Sequence, residues 1–156
     1  MKNFGPLVDV PVLLITFYFI IKYKLEISNL FLRIPLPNFL VYLISSLPFI
    51  IFEENINCGA FNCNHTILPF TLPFLLIYMT IIWFFYIKIK PKNIKLFITI
   101  FCLIGVLFEI FLGVSNVEFR QLPIFWFVFI GIWVGISYAY LMVVPLTILE
   151  MKKNKK

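Results

Sequence analysis

Apolar residues recur along this chain in five long blocks, at 5–21, 36–52, 67–87, 96–113 and 122–149, separated by short polar breaks. A helix rises 1.5 Å per residue, so the 17-residue blocks reach about 26 Å against a hydrocarbon core of about 30 Å. The last block is long enough to tilt or to emerge on one side. The pattern predicts an all-α fold: a polytopic membrane protein whose five transmembrane helices form an up-down bundle in a single transmembrane domain, 1–156. Asp9 and Pro11 interrupt the opening turns of the first block, which leaves an interfacial helix as the alternative to a span there.

Prolines punctuate this plan. Pro35 and Pro37 precede the second helix, Pro69 and Pro123 sit in the first turns of the third and fifth, and Pro91 breaks the hairpin between the third and fourth. A missing N–H costs nothing in a first turn. Pro48, Pro73 and Pro145 fall inside apolar blocks and predict kinks or local unwinding. Phe52-Glu53 followed by Leu68-Pro69, and Phe108-Glu109 followed by Leu122-Pro123, hint at a repeated helix–loop–helix unit, on too few matched positions to carry weight.

Composition narrows the class. The chain is 62% hydrophobic and 13% charged, where soluble domains carry about 25% charged residues; its mean hydropathy is +1.03. A soluble enzyme, a disordered protein and a nucleic-acid module are excluded. The net charge of +6 therefore speaks of topology and not of nucleic acid. Eleven of the thirteen basic residues fall on one side of the predicted bundle: Lys22, Lys24 and Arg33; Lys88, Lys90, Lys92 and Lys95; Lys152, Lys153, Lys155 and Lys156. Only Lys2 and Arg120 fall on the other. The preference of Lys and Arg for the cytoplasmic side then puts the N-terminus outside and the C-terminus inside. The first block lacks a small-residue cleavage site, so it reads as a resident helix and not a cleavable signal peptide.

Candidate chemistry gathers on the outer side. The stretch 53–66 reads as a loop and holds Glu53, Glu54, Cys58, Cys63 and the single histidine, His65. Cys58 and Cys63, five apart with Gly59 between them, suit a disulfide in an oxidising compartment. Cys58, Cys63 and His65 are also competent zinc or copper ligands, with Glu53 or Glu54 as a fourth, but their spacing fits no standard metal motif. Asn64-His65-Thr66 has the form of a glycosylation acceptor, too near the membrane for ready enzyme access.

Glu109 lies inside the fourth block, where an ionisable group is expensive unless it faces protein or water. Cys102, Gly105, Glu109 and Gly113 share one helix face of small residues, which points the carboxyl into the bundle, toward the fifth helix or the outer loop. Asp9, Glu53, Glu54, Glu109 and Glu118 together put five of the seven acids on the outer half, through topology alone or as a mouth that gathers cations. In the fifth block Gly131, Gly135 and Ala139 form a small-residue stripe for close helix packing, within the chain or with another copy or partner, and Ser137, Tyr138 and Tyr140 bring hydrogen-bonding groups to the same region.

No phosphate-binding loop, dinucleotide fingerprint, metalloprotease motif or haem-ligating histidine pair occurs, so no cofactor is expected. The favoured role is a non-catalytic accessory or assembly subunit of a membrane complex, placed in the cell membrane, with lipid and a membrane protein or a second copy as partners and no nucleic acid. A small transporter or channel-like protein using Glu109 is the first alternative. An intramembrane enzyme acting on a lipid or isoprenoid, with Glu53, Glu54 or Glu109 as acid or base, is the second.

The charge asymmetry makes a direct prediction. Cysteines placed at Lys90 and Lys156 should react with a membrane-impermeant maleimide only after the cell is opened, and one placed at Asn62 should react in intact cells. Labelling of Lys90→Cys from outside would overturn the orientation.

Overall fold

The structure, a computed structural model, describes residues 5–61, 68–111 and 123–154, and the side chains of all of these except 5–9, 57–61, 68–70, 126 and 154. It contains five helices, α1 (Gly5–Leu32), α2 (Asn38–Phe61), α3 (Leu68–Ile89), α4 (Ile94–Phe111) and α5 (Ile124–Asn154), and no strand among the described residues. Asn38–Ile56, Thr71–Ile89, Ile94–Phe111 and Phe127–Lys153 are each long and apolar enough to cross a bilayer. The fold is all-α, and the chain is a small integral membrane protein.

Helix ends differ from the apolar blocks, and the reason is physical. Charge ends a membrane block but does not end a helix. α1 continues eleven residues past Ile21, through Lys22, Lys24 and Glu26, and ends at Leu32 before Pro35. α2 continues past Phe52 to Phe61. Glu53, Glu54 and Cys58 are therefore helical and not in a loop, because nothing from Glu53 to Cys58 breaks a helix. The Asn55 side-chain amide donates to the Ile51 carbonyl at 2.6 Å within this extension. α5 likewise runs on to Asn154.

The chain divides into two compact units, one of residues 1–90 and 140–156, the other of 91–139. In the first, the C-terminal half of α5 is the central element. All ten residues from Tyr140 to Leu149 are buried, Pro145 among them. Ten successive helical residues point in every direction, so this segment is enclosed on all sides. α2 contributes one face, Val41, Tyr42, Ser45, Ser46, Phe49, Ile50, Glu53 and Ile56, at helical spacing. Leu13 and Ile20 of α1 and Met79, Ile82 and Tyr86 of α3 complete the core.

Contacts fix the helix directions within this unit. The Lys152 ammonium donates to Asn38 Oδ1 at 2.6 Å, while Phe49 and Phe52 flank the Tyr140 ring at 5.7 and 5.9 Å between centroids. α2 therefore runs antiparallel to α5. Phe39 lies 4.8 Å from Trp83, and the Tyr42 hydroxyl donates to the Met79 carbonyl at 3.1 Å, so α3 is antiparallel to α2. Lys152, Asn38 and the end of α3 thus share one end of the unit.

α1 bends at Tyr23, whose φ of −106° and ψ of 17° leave the helical region. Phe17 meets Tyr140, and eleven residues later Ser28 donates to the Val144 carbonyl at 3.4 Å. Eleven straight residues would climb about 16 Å, but the step from Tyr140 to Val144 is only about 6 Å. The stretch after Tyr23 therefore turns across α5 instead of continuing beside it. α3 stops cleanly at the same end. Lys90 adopts a left-handed φ of 49°, its N–H bonds the Tyr86 carbonyl at 2.9 Å, and Pro91 blocks continuation.

Tyr42 supplies a fully buried hydrogen bond between two helices of this unit. Tyr42→Phe should lower stability by about 0.6 kcal/mol, the average for interhelical hydrogen bonds in membrane proteins, and by no more than about 1.7 kcal/mol, as read by unfolding in mixed micelles. An unchanged midpoint would show that packing alone joins α2 to α3.

Candidate functional site

The second unit pairs α4 with the first half of α5. Asn93 starts α4 as its cap, with Oδ1 accepting from the backbone N–H of Lys95 and Leu96 at 3.0 and 3.1 Å. From there one face repeats every four residues: Phe97, Phe101 and Gly105 are buried, with Phe97 and Phe101 4.7 Å apart. Glu109 is the next position on this face. Trp133, Ser137 and Tyr138 are buried on α5.

Gly105 and Tyr138 make the closest approach. A Cβ placed on Gly105 would lie 2.6 Å from the Tyr138 ring, nearer than such atoms ever come. The ring therefore lies flat against a position that only glycine leaves open. Its hydroxyl reaches one turn further and donates to Glu109 Oε1 at 3.1 Å. The four residues from Gly105 to Glu109 rise about 6 Å, close to the reach of a tyrosine side chain. The neighbouring position on α4, Val106, packs toward Gly131 and Gly135, where an added Cβ would sit 3.8 and 3.6 Å from its methyl groups. The glycine stripe thus faces α4 of the same hairpin.

A second polar group lies in the first unit. Tyr140 is buried and ringed by Phe17, Phe49 and Phe52, with Thr16 beside its hydroxyl. Glu53, 5% exposed, acts on it electrostatically from α2. The Thr16 hydroxyl donates within α1, to the Val12 and Leu13 carbonyls at 2.8 and 3.0 Å.

The three candidate carboxylates are thus divided: Glu53 is buried and Glu54 half-buried on α2 of the first unit, while Glu109 is bonded to Tyr138 in the second. Cys63 and His65 lie outside the described residues, as does the side chain of Cys58, so the bridged pair and the metal set fall beyond what the structure describes. Among the described residues no group of three His, Cys, Asp or Glu side chains converges. Cys102 is a half-buried free thiol. Thr16, Ser28 and Tyr42 connect helices without standing out in the sequence, since hydroxyls and aromatics are scattered through every apolar block. Tyr138 carried one usable signal, three residues beyond Gly135 and on the face of the small residues.

The Tyr138–Glu109 pair should behave as a unit. Tyr138→Phe and Glu109→Ala should each cost about 1–2 kcal/mol of stability, with a coupling energy of at least 0.5 kcal/mol in the double variant. Glu109→Gln, which keeps an acceptor, should cost less. Additive losses would break the pair as an interaction.

No protein-family model, no curated protein and no solved structure matches this chain.

Proposed function

We propose that this protein is a non-catalytic accessory or assembly subunit of a complex in the cell membrane, with its N-terminus outside and its C-terminus inside. The observation that carries the reading is the hydrogen bond from Tyr138 to Glu109. The one acid within α4 that could serve protons or substrate is engaged in joining α4 to α5. Tyr42 and Ser28 likewise bond carbonyls of neighbouring helices, while Ser45, Ser46, Thr80 and Thr147 bond carbonyls within their own helix.

A partner through the fifth helix remains part of this reading, along the first two turns of the side that also carries the glycine stripe. Ile124, Phe125, Val128 and Ile132 lie at helical spacing and are more than half exposed. Side chains of this size give a membrane partner substantial van der Waals contact.

The protein, tagged and solubilised gently from its own membrane, should migrate as a complex of fixed stoichiometry with a larger membrane protein. Glu109→Gln should leave that complex assembled. A chain that purifies alone, and that in proteoliposomes carries a cation or proton flux abolished by Glu109→Gln, would replace this reading with the transporter one.

A further inference from the structure

We propose that the basic end of the first unit is a binding surface for anionic phospholipid headgroups. The antiparallel run of α2 and α3 and the bond between Lys152 and Asn38 bring Lys88, Lys90, Lys152 and Lys153 to this end; Arg33 lies five residues before Asn38, and Lys22 and Lys24 flank the bend of α1 that leads toward it. Glu26 and Glu150 are its acids. None of the seven cations forms an ion pair with a described acid. Lys92 and Lys95 follow Lys90 within five residues of sequence.

Placement separates this surface from a merely solvated basic tail. Lys22 lies over the Tyr23 ring at 5.3 Å from its centroid, and Lys88 over the Phe84 ring at 5.5 Å. Leu25, Leu30, Ile87 and Ile89 are exposed among these cations. An exposed apolar side chain beside an unpaired ammonium belongs where acyl chains give way to headgroups, with the long lysine stem lying along the apolar surface and its charge at phosphate level. The bend at Tyr23 adds to this, because it turns residues 24–32 across α5 and sets Lys24 and Arg33 on a segment that has left the direction of the span. Anionic lipids on the inner face of a membrane attract such clusters over roughly a Debye length. A rule of insertion sorts basic loops to one side whatever lipid is present. A binding surface selects among lipids after folding, and that selection is measurable.

The test is native mass spectrometry of the intact protein released from neutral detergent micelles that contain equal amounts of phosphatidylglycerol and phosphatidylcholine. The adducts should be enriched in phosphatidylglycerol about tenfold or more. Each cation near an anionic surface is worth about a fivefold change in association, so the triple variant Lys22→Gln, Lys88→Gln, Lys153→Gln should bring the enrichment close to one, while the corresponding three arginine substitutions should preserve it. Equal retention of the two lipids by the unmodified protein would overturn the proposal. So would full enrichment in the glutamine triple. Inorganic phosphate should displace no more lipid than chloride of equal ionic strength; specific displacement would mark a free-anion site and overturn the lipid surface. The result does not depend on the subunit reading, since a transporter of the same topology would present the same surface.

Discussion

The enclosed stretch of α5, Tyr140–Leu149, is the constraint around which the first unit is arranged. In lipid its burial gains little from the hydrophobic effect, because acyl chains are as apolar as its own side chains. What holds it is dense contact and the few hydrogen bonds placed along it. At one end Tyr140 is closed in by three phenylalanines and Thr16; at the other Lys152 reaches Asn38. Between them α2 lays its one regular face, and α1 bends so that Ser28 comes to Val144. A helix so enclosed tolerates Pro145 within it, since neighbouring helices shield the freed carbonyl from lipid.

Pro11, Pro48, Pro73 and Pro145 each lie inside a helix, and each of those helices carries a Ser or Thr within seven residues that bonds a carbonyl three or four back: Thr16, Ser45 and Ser46, Thr80, and Thr147. None of these hydroxyls takes the carbonyl that the proline releases. These back-bonds therefore do not repair the proline gaps, and Thr99 makes the same bond to the Lys95 carbonyl in α4, which has no internal proline.

Much of the fold was legible in the sequence because lipid imposes a simple rule: a long apolar run must be a helix. The five helices follow from it. Their ends do not. The same rule reports where the membrane stops, so Lys22 and Glu53 read as helix ends although helix propensity carries the backbone on to Leu32 and Phe61. The packed face of α4 was visible in the spacing of Gly105 and Glu109. The partner that fills it, Tyr138, is one of seven tyrosines, and a pairing between helices leaves no periodic trace in either one. The division into two units was hidden for a related reason, since it falls within α5, where hydropathy is continuous.

The geometry of Glu109 bears most directly on what the protein does. A carboxyl that relays protons or turns over substrate needs alternating partners, and hence a neighbour that can move. Tyr138 is poorly suited to that. Its ring occupies the space above Gly105, and its hydroxyl reaches Glu109 from that seat. Withdrawing the hydroxyl means lifting the ring and opening a void beside a glycine, which forfeits the dispersion contacts of the whole ring and not one hydrogen bond. The hydroxyl and the ring thus hold each other in place, as suits a fixed joint between two helices.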